Sequence, residues 1–303
     1  MTERALGFLL LGMLWVVCAA AQARPVHYGA VTDPAVLACD RLEWRGRVDE
    51  ADRCYADLLE GPDSAASKAE AAWALNDRQA ANRWFRRAAA DAPDDTSIRV
   101  RWGDLYAAAY QYADAIEIYR EALAADPVDA FARLGVARVL VDSFEGAAGE
   151  ALGALLDDPL VDGGARAAAL LLVAQTSLEA GDQDAARGAL EEAEKIVTRD
   201  GWPPLDVYAL RAAAAVVGNV EPDTWIERAL TYNPHWGAVY ARQAHFHVIT
   251  RRYREAIDLY QKAVDTDPHL APAHEALGIN LLRDNQFSRA RKHLEIAYQE
   301  LSL

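Results

Sequence analysis

Six times in this chain a helical stretch runs into a proline, at Pro62, Pro93, Pro127, Pro159, Pro234 and Pro268. Four of the gaps between neighbours are 31, 34, 32 and 34 residues, and the long gap from Pro159 to Pro234 holds two less regular units. A proline ring clashes with the preceding turn and supplies no N–H, so each one stops a helix. A fixed period in this range means stacked helical pairs that bury a continuous core between neighbours. Such a protein presents a surface to a partner.

One unit shows how the period is built. In residues 98–126, Trp102, Gly103 and Tyr106 fall in a first helix, and Ala115, Tyr119 and Ala122 in a second. The last three are spaced i, i+4, i+7, one face of a helix. Small residues let two helices approach, and aromatics fill the space between neighbouring pairs. The pattern returns with Leu134, Gly135, Ala147, Ala151, Ala154, and with Tyr240, Ala244, Ala256, Tyr260, Ala263. A further copy is Leu277, Gly278, Leu281, Ala290, Leu294, Ala297. Weaker copies are Ala51, Tyr55, Leu58 and Ala81, Phe85, Ala88; between residues 162 and 233 it survives as Val173, Ala174, Ala186, Leu190, Ala193, then Ile226, Ala229. About eight copies in register resemble the tetratricopeptide repeat family over residues 32–303. The resemblance implies an all-α, right-handed superhelical solenoid of antiparallel helix pairs. Pro222 at the start of a short second helix is expected to bend or loosen the stack. The stretch Thr198–Leu205, with Gly201, Trp202, Pro203 and Pro204, is a candidate hinge between repeats at 24–200 and 201–303.

The first 23 residues stand outside this pattern. Arg4 precedes an apolar run from Ala5 to Ala21, and Ala21-Gln22-Ala23 supplies a small-x-small cleavage site, the plan of a secretory signal peptide. The run has 17 residues, fewer than the roughly 20 of a membrane-spanning helix. An uncleaved anchor is one alternative and lipidation at Cys18 another, although Val17 is bulkier than the small residue that usually precedes a lipidated cysteine. The address read from this is periplasmic or secreted. Cys39 and Cys54 then fall on opposite arms of the first hairpin, read as Asp33–Arg45 and Val48–Glu60. In an exported protein they are either bridged or two small buried residues that never meet.

A net charge of −15 argues against nucleic-acid binding, which uses basic stripes. Much of the acid sits in first turns of helices, where it complements the dipole. No nucleophile elbow, Walker loop or dinucleotide fingerprint is present, and His274-Glu275 lacks a second histidine four residues on, where Gly278 stands. His245 and His247 point to different helix faces. No metal site, cofactor or enzymatic reaction is therefore read from the sequence.

In the family the first helices of successive repeats line a concave groove for an extended or helical peptide. Carried over by position, that groove takes in Trp73, Arg101, Asp104, Val136, Gln175, Arg242, His245, Glu275 and Arg283, with Ala132, Val139, Leu171 and Leu178 making its middle apolar. The basic-and-asparagine clamp of some carboxylate-binding members is absent. The expectation is an exported scaffold that binds a partner's peptide or helix in cell-envelope assembly. The alternative is a module, the front part of a longer protein, that presents substrates to an envelope hydrolase. The end at Glu300–Leu303 has no further polar capping helix, so Leu301 and Leu303 are expected to be covered by a partner or a downstream domain.

Overall fold

The computed structural model describes residues 24–143, 145–161 and 163–301; the leader with Cys18 and the terminal Leu303 lie outside them. Among the described residues there are sixteen helices and no strand, and the helices form eight antiparallel pairs. The pairs are α1 Pro34–Trp44 with α2 Val48–Glu60, α3 Ala65–Ala74 with α4 Arg78–Asp91, and α5 Thr96–Ala108 with α6 Tyr112–Ala125. They continue with α7 Ala130–Asp142 and α8 Ala148–Leu156, α9 Gly163–Ala180 and α10 Gln183–Asp200, α11 Leu205–Val217 and α12 Asp223–Tyr232. The last are α13 Ala238–Ile249 with α14 Tyr253–Thr266, and α15 Ala271–Arg283 with α16 Phe287–Leu301.

Local chemistry sets these boundaries. Asp33, Ser64, Asp77, Asp95, Asp129 and Asp182 cap helix starts by accepting from first-turn N–H groups, which satisfies donors the helix cannot use itself. Within pairs the chain reverses through a left-handed residue at Gly46, Asn76, Tyr110, Gly181, Asn219, Arg251 or Asn285. Between pairs, Gly61, Ala92, Asp126, Asn233 and Asp267 leave the helical region just before a proline, as the proline ring demands of its predecessor.

The i, i+4, i+7 triplets face inward: Ala51, Tyr55, Leu58, Ala81, Phe85, Ala88, Ala115, Tyr119, Ala122, Ala186, Leu190, Ala193, Ala256, Tyr260 and Ala263 are all buried. The fourth pair departs from its reading. Helix α8 begins only at Ala148 and turns Leu152 and Leu155 inward, leaving Ala147 and Ala154 exposed. Burying two leucines removes more apolar surface from water than burying two alanines, so the register shifts by one. The stretch 198–205 is also shorter as a connector than expected. Helix α10 continues to Asp200 and closes on Gly201 at φ 75, a left-handed residue that ends a helix without a Cβ clash. One apolar cluster runs from Ile196 and Val197 across to Val207 and Leu210.

The array curls until its first pairs meet its last ones. Asn233 donates to the Glu43 carbonyl at 3.2 Å, and the Arg45 guanidinium lies 4.0 Å from the centre of the Tyr232 ring. Across the same closure, Glu300 faces Arg78 and Tyr110 lies beside Glu275. Cys39 and Cys54 are joined in a disulfide, with Cα atoms 5.5 Å apart across α1 and α2. At the other end Phe287 is 63% exposed and Tyr298 78% exposed.

Tyr119 is the tightest wedge between two pairs. A Cβ added at Gly135 would lie 2.4 Å from its ring, and one at Gly103 would lie 2.5 Å away. Gly→Ala in an exposed helix stabilises by about 1 kcal/mol. Here Gly135→Ala is expected to destabilise instead, by about 1–3 kcal/mol from overpacking, read as a lower midpoint in urea unfolding at unchanged slope.

Candidate functional site

The inner face of the curl is occupied by the chain's own residues 24–32. Proline, glycine and an exposed Thr32 keep this stretch out of helix, yet Val26, His27, Tyr28, Ala30 and Val31 are buried. Val26 and Tyr28 join the central cluster with Trp44, Leu134, Ala168 and Leu171. Ala30 packs with Val100, Ala122 and Ala132, and Val31 with Val36, Cys39 and Tyr55. The stretch turns at Tyr28 (φ 45) and Gly29 (φ 103), closed by the Ala30 N–H donating to the His27 carbonyl at 2.9 Å. The Tyr28 hydroxyl then donates to Asp206 on α11 at 2.9 Å. Gly164, at the start of α9, makes this approach feasible: a Cβ there would lie 1.5 Å from the Tyr28 carbonyl oxygen.

Arg24 anchors the other end, its side chain only 5% exposed. Its guanidinium donates to Asp40 at 2.7 Å, Glu43 at 2.8 Å, Glu70 at 3.3 Å and the Tyr55 oxygen at 2.9 Å. Tyr55 in turn lies 2.6 Å from Asp40, and His27 Nε2 lies 2.9 Å from the other Asp40 oxygen. The charges continue along the first helices. Arg101 holds Glu70 through two bonds of 2.8 and 2.9 Å and Asp104 through one of 2.8 Å. Asp104 also accepts from Tyr119 at 2.8 Å and from Arg138 at 3.4 Å. The result is a buried ladder of alternating sign, Arg24–Glu70–Arg101–Asp104–Arg138, that crosses α3, α5 and α7.

Burial alone would drive these carboxyls toward their neutral form. Arg24, His27 and Tyr55 more than offset it at Asp40, and Arg101 and Arg24 do so at Glu70, so both lie below the ordinary carboxylate range. His27 is pushed down by burial despite its bond to Asp40, which keeps the imidazole neutral near pH 7. Burial and Asp206 push the Tyr28 phenol up, so it remains a hydrogen-bond donor.

Two open spaces flank the segment. A chamber of about 110 Å³ lies between Pro25, Val26 and Tyr28 and the wall formed by Ala168, Leu171, Leu172, Asp104, Arg138, Asp142, Gln175 and Arg242. A wider one of about 280 Å³ opens between Arg24–His27 and Glu43, Trp44, Trp73, Asn233, Trp236 and Asp267. Burial pushes the Asp142 carboxyl up to about 6, against the pull of Arg138 and Arg242.

The residues expected to line a groove fall into three groups. Asp104, Gln175 and Arg242 border the smaller chamber and Trp73 the larger one, while Arg101 reaches the segment through Glu70. His245 is buried against Glu179 at 3.1 Å, next to the bond of 2.6 Å from Arg242 to Gln175. Val136 packs beside Tyr119, Glu275 is half-buried by Tyr110, and Arg283 is exposed over the Tyr253 ring. The groove expectation does not include Arg24, His27, Tyr28, Asp40, Glu43, Glu70 or Asp206, and Trp202 enters the sequence reading only as part of the candidate hinge. Two signals pointed to them. Residues 24–32 are too rich in aromatic and β-branched side chains for a linker, and Asp104, Arg138 and Asp206 recur at whole repeat lengths on the inner face of first helices. Among the described residues no group of histidine, cysteine and acidic side chains is placed to hold a metal.

Residues 238–270, the seventh pair, match the family model of the tetratricopeptide repeat. Comparison with curated proteins gives no match. Similar solved structures include the APC/C hetero-tetramer Cut9–Hcn1, at 16% identity over 89% of this chain and 53% of that one, TM-score 0.49. Another is an IFIT1 monomeric mutant with m7Gppp-AAAA, at 15% identity over 85% and 57%, TM-score 0.41. A third is a MamA RS-1 double mutant, at 14% identity over 78% and 92%, TM-score 0.25. This chain spans about half the length of the Cut9–Hcn1 and IFIT1 chains.

Asp142 gives a pH test of the chamber. Its carboxyl holds a proton more tightly folded than unfolded, so its contribution to stability is complete below about pH 4 and is lost as pH rises through about 6. At pH 7.5 the ionised group costs up to about 3 kcal/mol, less whatever water screens at a half-buried site. Asp142→Asn should therefore raise the unfolding free energy at pH 7.5, and the gain over the parent should vanish near pH 4.

Proposed function

We propose that this tetratricopeptide-repeat chain is an exported protein-interaction scaffold whose concave face receives an extended peptide. The observation that carries the reading is the extended segment 24–31 seated against first helices from α1 to α11. A face that buries an irregular backbone through side-chain pockets, a charge ladder and a glycine relief at Gly164 has the features peptide recognition uses. The repeat array supports protein partners in general. The leader-like first 23 residues and the disulfide between Cys39 and Cys54 support export, since such bridges persist in oxidising compartments. No helix among the described residues is long and apolar enough to cross a membrane, and the address proposed is the periplasm or the outside of the cell, with lipid attachment at Cys18 as the lesser alternative. The scaffold carries out no reaction of its own in this reading.

The exposed apolar end of the array favours a second reading. Leu282, Phe287, Leu294 and Tyr298 form an open hollow on the last pair, and a hydrolase or further domain seated there would make the chain a substrate-presenting module.

Arg242, half-buried at the chamber rim, is the cleanest handle; Arg101 is unsuitable because reversing it would break the ladder. Arg242→Gln is expected to keep the circular dichroism of the parent while weakening co-purification of the native partner by about tenfold, the loss of one charged contact. Unchanged co-purification would contradict the groove reading. The N-terminal peptide of the native protein is expected to begin at Arg24, and an N-terminus that retains residues 1–23 would contradict cleavage.

A further inference from the structure

The structure places a peptide in the groove, and the peptide belongs to the chain itself. What holds it is an arginine site: two buried carboxylates, Asp40 and Glu70, a third at Glu43, and the Tyr55 oxygen all converge on one guanidinium. The guanidinium lies 5.4 Å from the centre of the Tyr55 ring, which adds a cation–π contact. Every acceptor is supplied by α1, α2 or α3. The planar fork of arginine matches this set of oxygens in a way that the point charge of lysine cannot. Four residues on, the backbone must pass Gly164, and the Tyr28 phenol must reach Asp206.

We propose that the groove is a recognition site for an extended peptide bearing an arginine and, four residues later, a tyrosine, and that residues 24–32 are its cis ligand. A partner peptide of that chemistry enters only when the chain's own segment leaves. Because the tether gives the cis segment an effective concentration in the millimolar range, the intact chain is a closed scaffold. Displacement requires a multivalent partner or a severed tether. The tether is short and accessible: Thr32 is exposed, and Asp33 already caps α1. The inference deepens the peptide-binding reading above and rests on it for biological meaning, although the pocket chemistry can be tested without any native partner.

The test uses the full chain with a specific protease site inserted between Thr32 and Asp33. Cleavage leaves the segment held only by the groove. A fluorescent peptide with the sequence of residues 24–32 is then offered to intact and nicked protein, alongside the same peptide carrying citrulline in place of arginine. The proposal expects no uptake by the intact chain, uptake by the nicked chain, and at least about tenfold weaker binding of the citrulline peptide, the equivalent of one lost charge-assisted contact. It is overturned if the nicked chain takes up neither peptide, or takes up both equally. Should the insertion prevent folding, the uncut double variant R24Q/Y28F weakens the cis segment in place, and the same peptide preferences must appear. Exchange of the segment between two copies would show as a dimer in size-exclusion chromatography and would contradict the closed-monomer form of the proposal. Selective peptide uptake combined with unchanged partner co-purification in Arg242→Gln would sink the partner reading and leave the arginine site standing.

Discussion

The structure turns on one buried guanidinium. Arg24 lies where Asp40, Glu43 and Glu70 approach one another, and three carboxyls so placed without a cation would repel each other and take up protons. Its charge is what lets α1 and α3 bring acidic side chains to a common point. From there the alternation passes outward through Arg101, Asp104 and Arg138, so α3, α5 and α7 are held in register by charge as well as by the alanine–aromatic packing behind them. A buried ion pair is poor evidence of net stability, because desolvation consumes much of the Coulomb energy. Its contribution here is geometric: mismatched neighbours would leave a charge unpaired, and that costs several kcal/mol.

The repeat was legible and its occupant was not. Period, proline stops and the inward triplets reflect local rules that act within a dozen residues, so Tyr119, Ala122 and Pro127 carry their meaning in the sequence itself. The fourth pair failed by one position because Leu152 and Leu155 compete with Ala151 and Ala154 for the same face, and only the packed surroundings decide. Spacing alone cannot show whether Cys39 and Cys54 meet; the antiparallel packing of α1 on α2 brings their Cα atoms to 5.5 Å. Of the residues expected in a groove, Asp104, Gln175 and Arg242 border the chamber beside the segment, whereas Glu275 and Arg283 belong to the last pair. Residues 24–32 are not legible in the sequence, because their contacts lie as far away as Asp206 and no periodicity marks a nine-residue stretch that pairs with something remote.

Closure of the curl and occupation of its centre are coupled. The first pair reaches the sixth through Asn233, Tyr232 and the Glu43 carbonyl, and Glu43 also receives Arg24. His27, Trp44 and Trp202 pack as a triangle of rings, 5.5, 5.8 and 6.1 Å apart, so aromatic packing from the first pair and from the 201–204 connector meets on the segment. A solenoid normally touches only its nearest neighbours. Here the central segment makes distant repeats into joint walls of one site, and removing it would leave the inner faces of α1, α9 and α11 without their shared filling.

The central claim is that in the intact chain residues 24–31 are seated in the interior. Hydrogen–deuterium exchange on the native protein, followed by peptide mass analysis, reads this directly. The account predicts that the stretch from Val26 to Val31, in which the Gly29 and Ala30 amides donate hydrogen bonds, exchanges far more slowly than an unstructured peptide. Exchange of that stretch at the rate of an unstructured peptide, with the helices still protected, would contradict it.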